Sequence, residues 1–323
     1  MISDMILDIV FIIVGITLVL WGADRLTDGA SSLARRMNIS EMVIGLTIVA
    51  AGTSAPELFV SVASALKGTP DLAVGNVVGS NTMNTLLIVG VTAMVAPMSI
   101  SRTTVTKDIP FTVLASVLLI ILCVDGFSRW SISGNMISRI DGLVLLLAFA
   151  SFMVYTFSTA KEDPAADQAA STMVSPIWKG LLWVVVGLAC LVIGANLFVD
   201  SASAVARQLH VSDSVIGLTI VAGGTSLPEL ATSVVAARKG RSAIAIGNVI
   251  GSNVFNILMI LGLTATISPM QIGGITLIDL SVMLVSMLIV WLFCFTKLTV
   301  ARWEGALLTL GYLAYTGWLL SQV

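Results

Sequence analysis

Apolar residues fill most of the chain in long stretches, and polar residues gather in the shorter segments between them. Each stretch is about 20 residues long or longer, which is the length that a helix needs to cross the hydrocarbon core of a bilayer. The pattern predicts an all-α membrane protein with ten transmembrane helices, at residues 5–30, 42–66, 71–97, 103–124, 139–159, 177–205, 213–237, 243–268, 275–296 and 302–321. We therefore predict a first five-helix unit at 1–159, a polar linker at 160–176 and a second five-helix unit at 177–323.

The composition supports this interpretation and excludes a water-soluble globular domain. Of the 323 residues, 57% are hydrophobic and 11% are charged, whereas a soluble domain is about half apolar and a quarter charged. Residues 9–23 are apolar, but Asp4 and Asp8 precede them without any Lys or Arg. A secretory signal peptide carries the opposite charge there, so we interpret this stretch as the first span.

The distribution of Lys and Arg predicts the orientation, because cytoplasmic loops are enriched in both. The loops after the odd-numbered spans carry twelve of the 16 basic residues: Arg25, Arg35, Arg36, Arg102, Lys107, Lys161, Lys179, Arg238, Lys239, Arg241, Lys297 and Arg302. The opposite side carries Lys67, Arg129, Arg139 and Arg207. We therefore predict a multi-pass protein of a microbial plasma (inner) membrane, with both termini on the outer, periplasmic side.

The chain repeats itself at an offset of 172 residues. The segment VIGLTIVAAGTSAPE ends at Glu57, and VIGLTIVAGGTSLPE ends at Glu229, with 13 of 15 positions identical. Further on, GNVVGSNTMN (75–84) matches GNVIGSNVFN (247–256) at seven of ten positions. Because each repeat has an odd number of spans, the second copy enters the membrane upside down. This inverted-repeat arrangement is typical of secondary transporters with a midplane site.

The repeat places a Pro-Glu pair halfway along spans 2 and 7. An ionisable group at that depth costs about 3 kcal/mol or more, so its presence at two symmetric positions indicates a function. Pro56 and Pro228 each remove a backbone N–H and clash with the carbonyl four residues earlier. We therefore expect both spans to break or kink at their Gly-Thr-Ser segments, where freed backbone groups must line a cavity or find a partner.

Hydroxyl and amide side chains at helical spacing surround the two Glu residues. Thr53 and Thr225 each lie four residues before a Glu, and in the following spans Ser80 pairs with Asn84, and Ser252 with Asn256, at the same spacing. The neighbouring Asn residues are equally compatible with hydrogen bonds between helices. The resulting ligand set consists of oxygen alone, which suits Ca2+ and Na+ better than the soft metals that prefer sulfur and nitrogen.

These motifs, GTS-x-PE followed by GN-x-x-GSN-x-x-N in both halves, resemble those of the Ca2+:cation antiporter family, which includes the sodium/calcium exchangers. The resemblance implies two inverted five-helix repeats, with spans 2, 3, 7 and 8 around the ions and spans 1 and 6 sliding past them. It also implies a set of ligands for the transported ions: Glu57, Glu229, Thr53, Thr225, Ser54, Ser226, Ser80, Ser252, Asn84, Asn256 and the carbonyl groups near Ala50 and Ala222.

The sequence departs from the family pattern at one position. Well-known members carry an Asp at one of the two positions that match Asn84 and Asn256, whereas this chain has Asn at both. The site charge is then −2 when both Glu residues are ionised. We therefore expect an electroneutral exchange of one Ca2+ for two monovalent cations.

The residues leave several alternatives open. Coupling to H+, with the two Glu residues titrating, is as compatible with the sequence as coupling to Na+, and a cation channel could use the same polar lining. An intramembrane enzyme is disfavoured, since the chain has no HExxH motif and one His, His210. We expect no cofactor and no nucleic-acid partner, and a monomer holds a complete site. Asp28 and Asp200 lie at symmetric span ends, as ion-guiding residues or as solvated or ion-paired ones.

Overall fold

The computed structural model describes residues 2–123, 136–160, 176–210, 220, 222–272 and 274–321. Most of the predicted linker at 160–176 and the start of predicted span 7 lie outside the described residues. The helices are α1 (Ile2–Met37), α2 (Glu41–Thr53), α3 (Ala55–Leu66), α4 (Pro70–Val95), α5 (Thr104–Cys123), α6 (Arg139–Ser158), α7 (Ile177–Gln208), α8 (Ala222–Thr225), α9 (Leu227–Arg238), α10 (Ser242–Ile267), α11 (Leu277–Lys297) and α12 (Arg302–Leu320).

Several of these helices are long and apolar enough to cross a membrane. Seven qualify by length and composition within the described residues, and the count is eight when α2 and α3 are taken as one broken span. Side-chain caps begin two of the helices: Ser138 accepts from the N–H of Asp141 in α6, and Thr276 accepts from that of Asp279 in α11. The chain is therefore a mostly helical, multi-pass membrane protein.

The predicted breaks at the Gly-Thr-Ser segments are confirmed. Helices α2 and α3 meet at Ser54 and differ in direction by 46°. In the second repeat, Ser226 interrupts the chain between α8 and α9 in the same way. In both cases the proline occupies the first turn of the new helix, where its missing N–H would have no helical partner.

Four two-residue strands join the two halves of the chain at the ends of the bundle. β1 (Met98–Ser99) pairs antiparallel with β4 (Thr299–Val300), and β2 (Met136–Ile137) pairs antiparallel with β3 (Met270–Gln271). Each pair connects a loop of the first half to a loop of the second. The two halves are therefore joined by loop contacts as well as by packing in the core.

The most buried helices, α4 and α10, form the centre of the bundle. The broken helices pack against them, with α3 on α4 and α9 on α10, while α12 covers α4 and α6 covers α10. Large apolar side chains on the outer helices are exposed, among them Ile13 at 59% and Leu147 at 69%. Such faces require a hydrocarbon environment, in agreement with a membrane location.

Helices α1 and α7 cross the outside of this core as a closely packed antiparallel pair. Glycines face each other at three levels, each seven residues from the next: Gly15 with Gly194, Gly22 with Gly187, and Gly29 with Gly180. A Cβ on Gly22 would lie 2.7 Å from the carbonyl oxygen of Gly187. Only glycine therefore allows the two backbones to approach so closely.

Substitution of Gly187 by Ala should destabilise the fold, because the new Cβ would lie 2.6 Å from the backbone nitrogen of Leu26. We expect the free energy of unfolding to fall by about 1–3 kcal/mol, the range typical of overpacking. Thermal unfolding of the purified protein in detergent measures the change. Gly317→Ala is the matched control, since a Cβ there meets no atom within 4 Å. Equal unfolding temperatures for the two variants would contradict the close packing of α1 and α7.

Candidate cation-binding site

The two helix breaks bring one Glu from each repeat into the centre of the protein. Glu57 lies in the first turn of α3, directly after the break at Ser54, and Glu229 lies at the same place in α9, after Ser226. The first turn of a helix carries a partial positive charge, which favours a carboxylate. Both Glu side chains are enclosed, with exposed fractions of 0% and 1%.

Each carboxylate is held by a serine of the opposite repeat. The Ser226 hydroxyl donates to Oε1 of Glu57 at 3.2 Å, and the Ser54 hydroxyl donates to Oε1 of Glu229 at 3.1 Å. Ser252 adds a longer contact to the same oxygen of Glu229, at 3.5 Å. The orientation of each Glu therefore depends on the position of the other repeat.

The predicted hydroxyl residues of the first repeat lie in the same region. Thr53 donates to Oδ1 of Asn248 at 3.0 Å and lies 3.5 Å from the hydroxyl of Ser252. The Ala50 carbonyl accepts from the Ser54 N–H at 3.0 Å and from the Thr53 hydroxyl at 3.3 Å. This carbonyl already has protein partners, so it is a weaker candidate ligand than the side chains.

The second repeat contributes the corresponding groups. Ser226 lies 3.4 Å from the hydroxyl of Ser80, and Thr225, which is half-buried, faces the carboxylate of Glu57. Ala222 begins the short helix α8, which ends at Thr225. All twelve residues predicted for the site thus lie on the two broken spans and on the two buried helices α4 and α10.

A set of asparagines links α4 to α10 next to the carboxylates. Asn84 Nδ2 donates to Oδ1 of Asn253, and Asn256 Nδ2 donates to Oδ1 of Asn81, both at 3.0 Å. Asn253 Nδ2 in turn donates to the hydroxyl of Thr85 at 3.0 Å. These contacts hold the amide groups of Asn84 and Asn256 so that each uses its nitrogen and leaves its oxygen available.

A further pair of polar side chains, one Asn and one Ser in each repeat, lies next to the backbone of each Glu. The serine of this pair was not identified from the sequence. Asn76 Nδ2 donates to the backbone carbonyl of Glu57 at 3.2 Å and to the hydroxyl of Ser61 at 3.0 Å. Asn248 repeats both contacts in the second half, with Glu229 at 3.3 Å and with the equivalent serine at 3.0 Å. The sequence contains a signal for these serines: each lies four residues after its Glu, and the two are related by the repeat offset of 172 residues.

Four buried oxygens of this cluster have no hydrogen-bond partner: Glu57 Oε2, Glu229 Oε2, Asn84 Oδ1 and Asn256 Oδ1. They form two symmetric pairs at the repeat offset. A buried acceptor without a donor costs free energy, and a buried carboxylate costs more unless a positive charge compensates it. The chemistry of this oxygen set therefore fits a hard cation such as Ca2+ or Na+. No cluster of three His, Cys, Asp or Glu side chains occurs among the described residues, and His210 lies apart at the end of α7.

Comparisons with known proteins agree with this chemistry. A family model described as "Sodium/calcium exchanger protein" matches residues 7–158 and 179–321. The inner membrane protein YrbG of Escherichia coli (strain K12) is 36% identical over 96% of both chains, and the sodium/calcium exchanger MaX1 of Methanosarcina acetivorans is 32% identical over 94% of this chain and 96% of its own. A solved structure of the sodium-calcium exchanger NCX_Mj superposes with a TM-score of 0.82 at 31% identity, covering 96% of this chain and 97% of the other.

Removal of the Asn253 amide should destabilise the core, since Asn253→Ala leaves Nδ2 of Asn84 without its acceptor. We expect a loss of about 1–3 kcal/mol in the free energy of unfolding, the cost of an unsatisfied buried polar group. Thermal unfolding in detergent measures it. The control is Ser286→Ala in α11, where the buried hydroxyl bonds only to the Met283 carbonyl of its own helix. A smaller loss for Asn253→Ala than for Ser286→Ala would contradict the proposed role of the asparagines.

Proposed function

The chain belongs to the sodium/calcium exchanger protein family, and on this premise we propose that it exchanges Ca2+ for Na+ across the membrane by alternating access. The observation that carries the proposal is the set of four buried oxygens without donors, on Glu57, Glu229, Asn84 and Asn256. Ca2+ takes six to eight oxygen ligands in flexible geometry, and Na+ accepts the same oxygens. Both ions would compete for one site.

The proposed ligands are the residues that the sequence analysis named. The carboxylates of Glu57 and Glu229 are the central Ca2+ ligands, and the surrounding hydroxyl, amide and carbonyl groups complete the sites for both ions: Thr53, Thr225, Ser54, Ser226, Ser80, Ser252, Asn84, Asn256, Ala50 and Ala222. Two observations support this assignment: both carboxylates are buried, and each accepts a hydrogen bond from a serine of the opposite repeat. Since Ala50 already accepts two hydrogen bonds, its contribution is the smallest we propose.

The same groups account for coupling. Two ionised carboxylates with no cation between them are costly to enclose in a medium of low dielectric constant. The protein therefore changes its open side only when Ca2+ or monovalent cations neutralise the site. This requirement links the movement of one ion to the return of the other without any covalent step, so the protein acts as a transporter without catalytic residues or a cofactor.

We propose that the helices form ten spans in two inverted repeats, 1–159 and 177–323, joined by the linker 160–176. The two spans beyond the eight that qualify by length and composition are α8 with α9, whose first part lies outside the described residues, and α12, which has 19 residues. The distribution of Lys and Arg favours a position of both chain termini on the outer, periplasmic side of the membrane. The relative YrbG is named as an inner membrane protein. One chain contains every proposed ligand, so a monomer is sufficient.

Uptake of radioactive Ca2+ into proteoliposomes tests the function and names the counter-cation. Vesicles loaded with Na+ should take up Ca2+ against a Na+-free medium, whereas vesicles with an acidic interior and no Na+ should not. The double variant Glu57→Gln, Glu229→Gln should lose at least about 90% of this uptake, because each substitution removes a negative charge that a divalent ion requires. The matched control is Glu304→Gln, at the start of α12, where Gln still accepts from the N–H of Ala301.

Each other outcome has a distinct meaning. Uptake driven by the acidic interior alone would replace Na+ by H+ as the coupling ion. Ca2+ entry that follows only its own gradient, with no dependence on Na+ or pH, would indicate a cation channel. Absence of any gradient-driven uptake by a folded protein would refute Ca2+ as the substrate.

The charge of the site predicts electroneutral transport. Asn at both positions 84 and 256 leaves a total of −2, which one Ca2+ or two Na+ neutralise. Steady-state Ca2+ accumulation should therefore not respond to a membrane potential set by K+ and valinomycin. By contrast, one net charge moved per cycle would change it by about fiftyfold per 100 mV. Asn256→Asp adds a carboxylate and should make uptake depend on the potential. Accumulation by the unmodified protein that follows the potential would contradict this charge count.

A further inference from the structure

Two acidic side chains of α1 are bound by basic side chains from the connection between α9 and α10. Lys239 Nζ lies 2.6 Å from Asp24 Oδ1 and 2.9 Å from Asp28 Oδ1, and Arg241 Nη1 lies 3.1 Å from the same Asp28 oxygen. We call these four residues the α1 latch. It lies on the Lys- and Arg-rich side of the protein, and its side chains are 21–39% exposed.

Hydrogen bonds to the backbone of α1 strengthen the latch. Lys239 Nζ donates to the Asp24 carbonyl at 3.0 Å, and Arg241 Nη1 donates to the Thr27 carbonyl at 2.7 Å. Between the two basic residues, Gly240 has a φ of +73°, a backbone conformation that favours glycine. The Arg241 N–H returns to the Ala236 carbonyl at 2.9 Å, so the turn is fixed to α9. The latch thus connects α1 to the helix that carries Glu229.

The symmetric positions on the opposite side lack two of these four charges. At the offset of 172 residues, Asp28 and Lys239 correspond to Asp200 and Lys67, and Gly240 to Gly68, which has a φ of +77°. The other two latch residues are replaced, because Asp24 corresponds to Asn196 and Arg241 to Thr69. Within the described part of the chain, Lys67 and Asp200 form no ion pair. The turn is therefore kept in both repeats, whereas the full set of four charges is present in one repeat alone.

Packing beside the latch is tighter than at the symmetric place. Helix α1 packs along α9, whereas α7 does not pack along α3 in the same way within the described residues. Thr232 and Ala236 of α9 are fully buried, whereas the symmetric residues of α3 are Val60, which is 38% exposed, and Ser64, which is half-buried. The structure is thus closed on the latch side and looser on the other.

We propose that the α1 latch holds the protein in the state that is closed on the Lys- and Arg-rich side, and that its incomplete copy makes the two access states unequal. The inference rests on the proposed alternating access. In an inverted repeat, the opposite state places α7 against the turn between α3 and α4. Only the Asp200–Lys67 pair is available there. Because the latch side chains are partly exposed, salt weakens the bias.

Cysteine labelling measures this bias without any transport. The three native cysteines are replaced by Ala, and one reporter is added at the buried position Ala236→Cys or at its symmetric counterpart Ser64→Cys. A membrane-impermeant maleimide is applied to the reconstituted protein from each side. Loss of the latch in Lys239→Gln, Arg241→Gln should raise the labelling rate at Ala236→Cys from the latch side by about threefold or more, since one exposed ion pair shifts an equilibrium by up to about fivefold.

Three further results are required. High salt should raise labelling at Ala236→Cys in the intact latch and leave the double variant unchanged. The charge exchange Asp28→Lys with Lys239→Asp should give slower labelling than either single change, because it re-forms the pair between positions 28 and 239, although Arg241 and Asp24 then each face a like charge. Installing the missing charges by Asn196→Asp and Thr69→Arg should also raise the labelling rate at Ala236→Cys, because these charges stabilise the opposite state, which is open on the latch side. Unchanged labelling rates in folded variants would overturn the proposed role of the latch, even if Ca2+ exchange is normal. The expected labelling rates in a protein that takes up no Ca2+ would refute the proposed function and support the role of the latch.

Discussion

The structure depends on the burial of two carboxylates in the interior of a membrane protein without enough donors to satisfy them. Glu57 and Glu229 each receive a serine hydroxyl on one oxygen and nothing on the other. Such groups are too costly to keep as a packing feature, since apolar residues of the same size would be more stable there. Their presence implies a compensating positive charge, and the buried amide oxygens of Asn84 and Asn256 likewise lack a donor.

The helix breaks are what make this arrangement possible. A continuous helix would satisfy its own backbone and would carry its Glu side chain on one fixed face. The Pro-Glu sequence starts a new helix inside the bundle, so each carboxylate lies at a helix N-terminus, where its charge is favoured. The serine at each break then reaches the Glu of the other repeat. A local feature of one repeat, the proline, therefore produces a contact between the two.

The sequence was sufficient to predict the apolar helices and their breaks, because these follow from hydropathy and proline chemistry. The offset of 172 residues pointed to the buried polar residues that the structure brings together, whose role as ion ligands stays a prediction. The pairing between repeats could not be predicted: nothing in the spacing indicates that Ser54 binds Glu229 and not Glu57, which depends on how the two repeats pack. The glycines of α1 and α7 recur every seven residues, but their register is visible only once the helices are antiparallel. The same holds for Asn81 and Asn253, where hydrogen bonding between helices was one of two interpretations.

The two repeats are alike at the centre of the molecule and differ at the ends of the helices. At the centre, the residues with unpartnered oxygens are the same in both repeats. Under the proposed alternating access, both states would offer an ion the same ligands. At the ends of the helices, the charges differ between repeats while the turn glycines Gly68 and Gly240 are retained. An exchanger needs a similar site on both sides, but it does not need equal populations of its two states. Under the proposed role of the α1 latch, changes confined to the helix ends alter the populations and leave the ligands intact, so the preferred access state can evolve independently of ion selectivity.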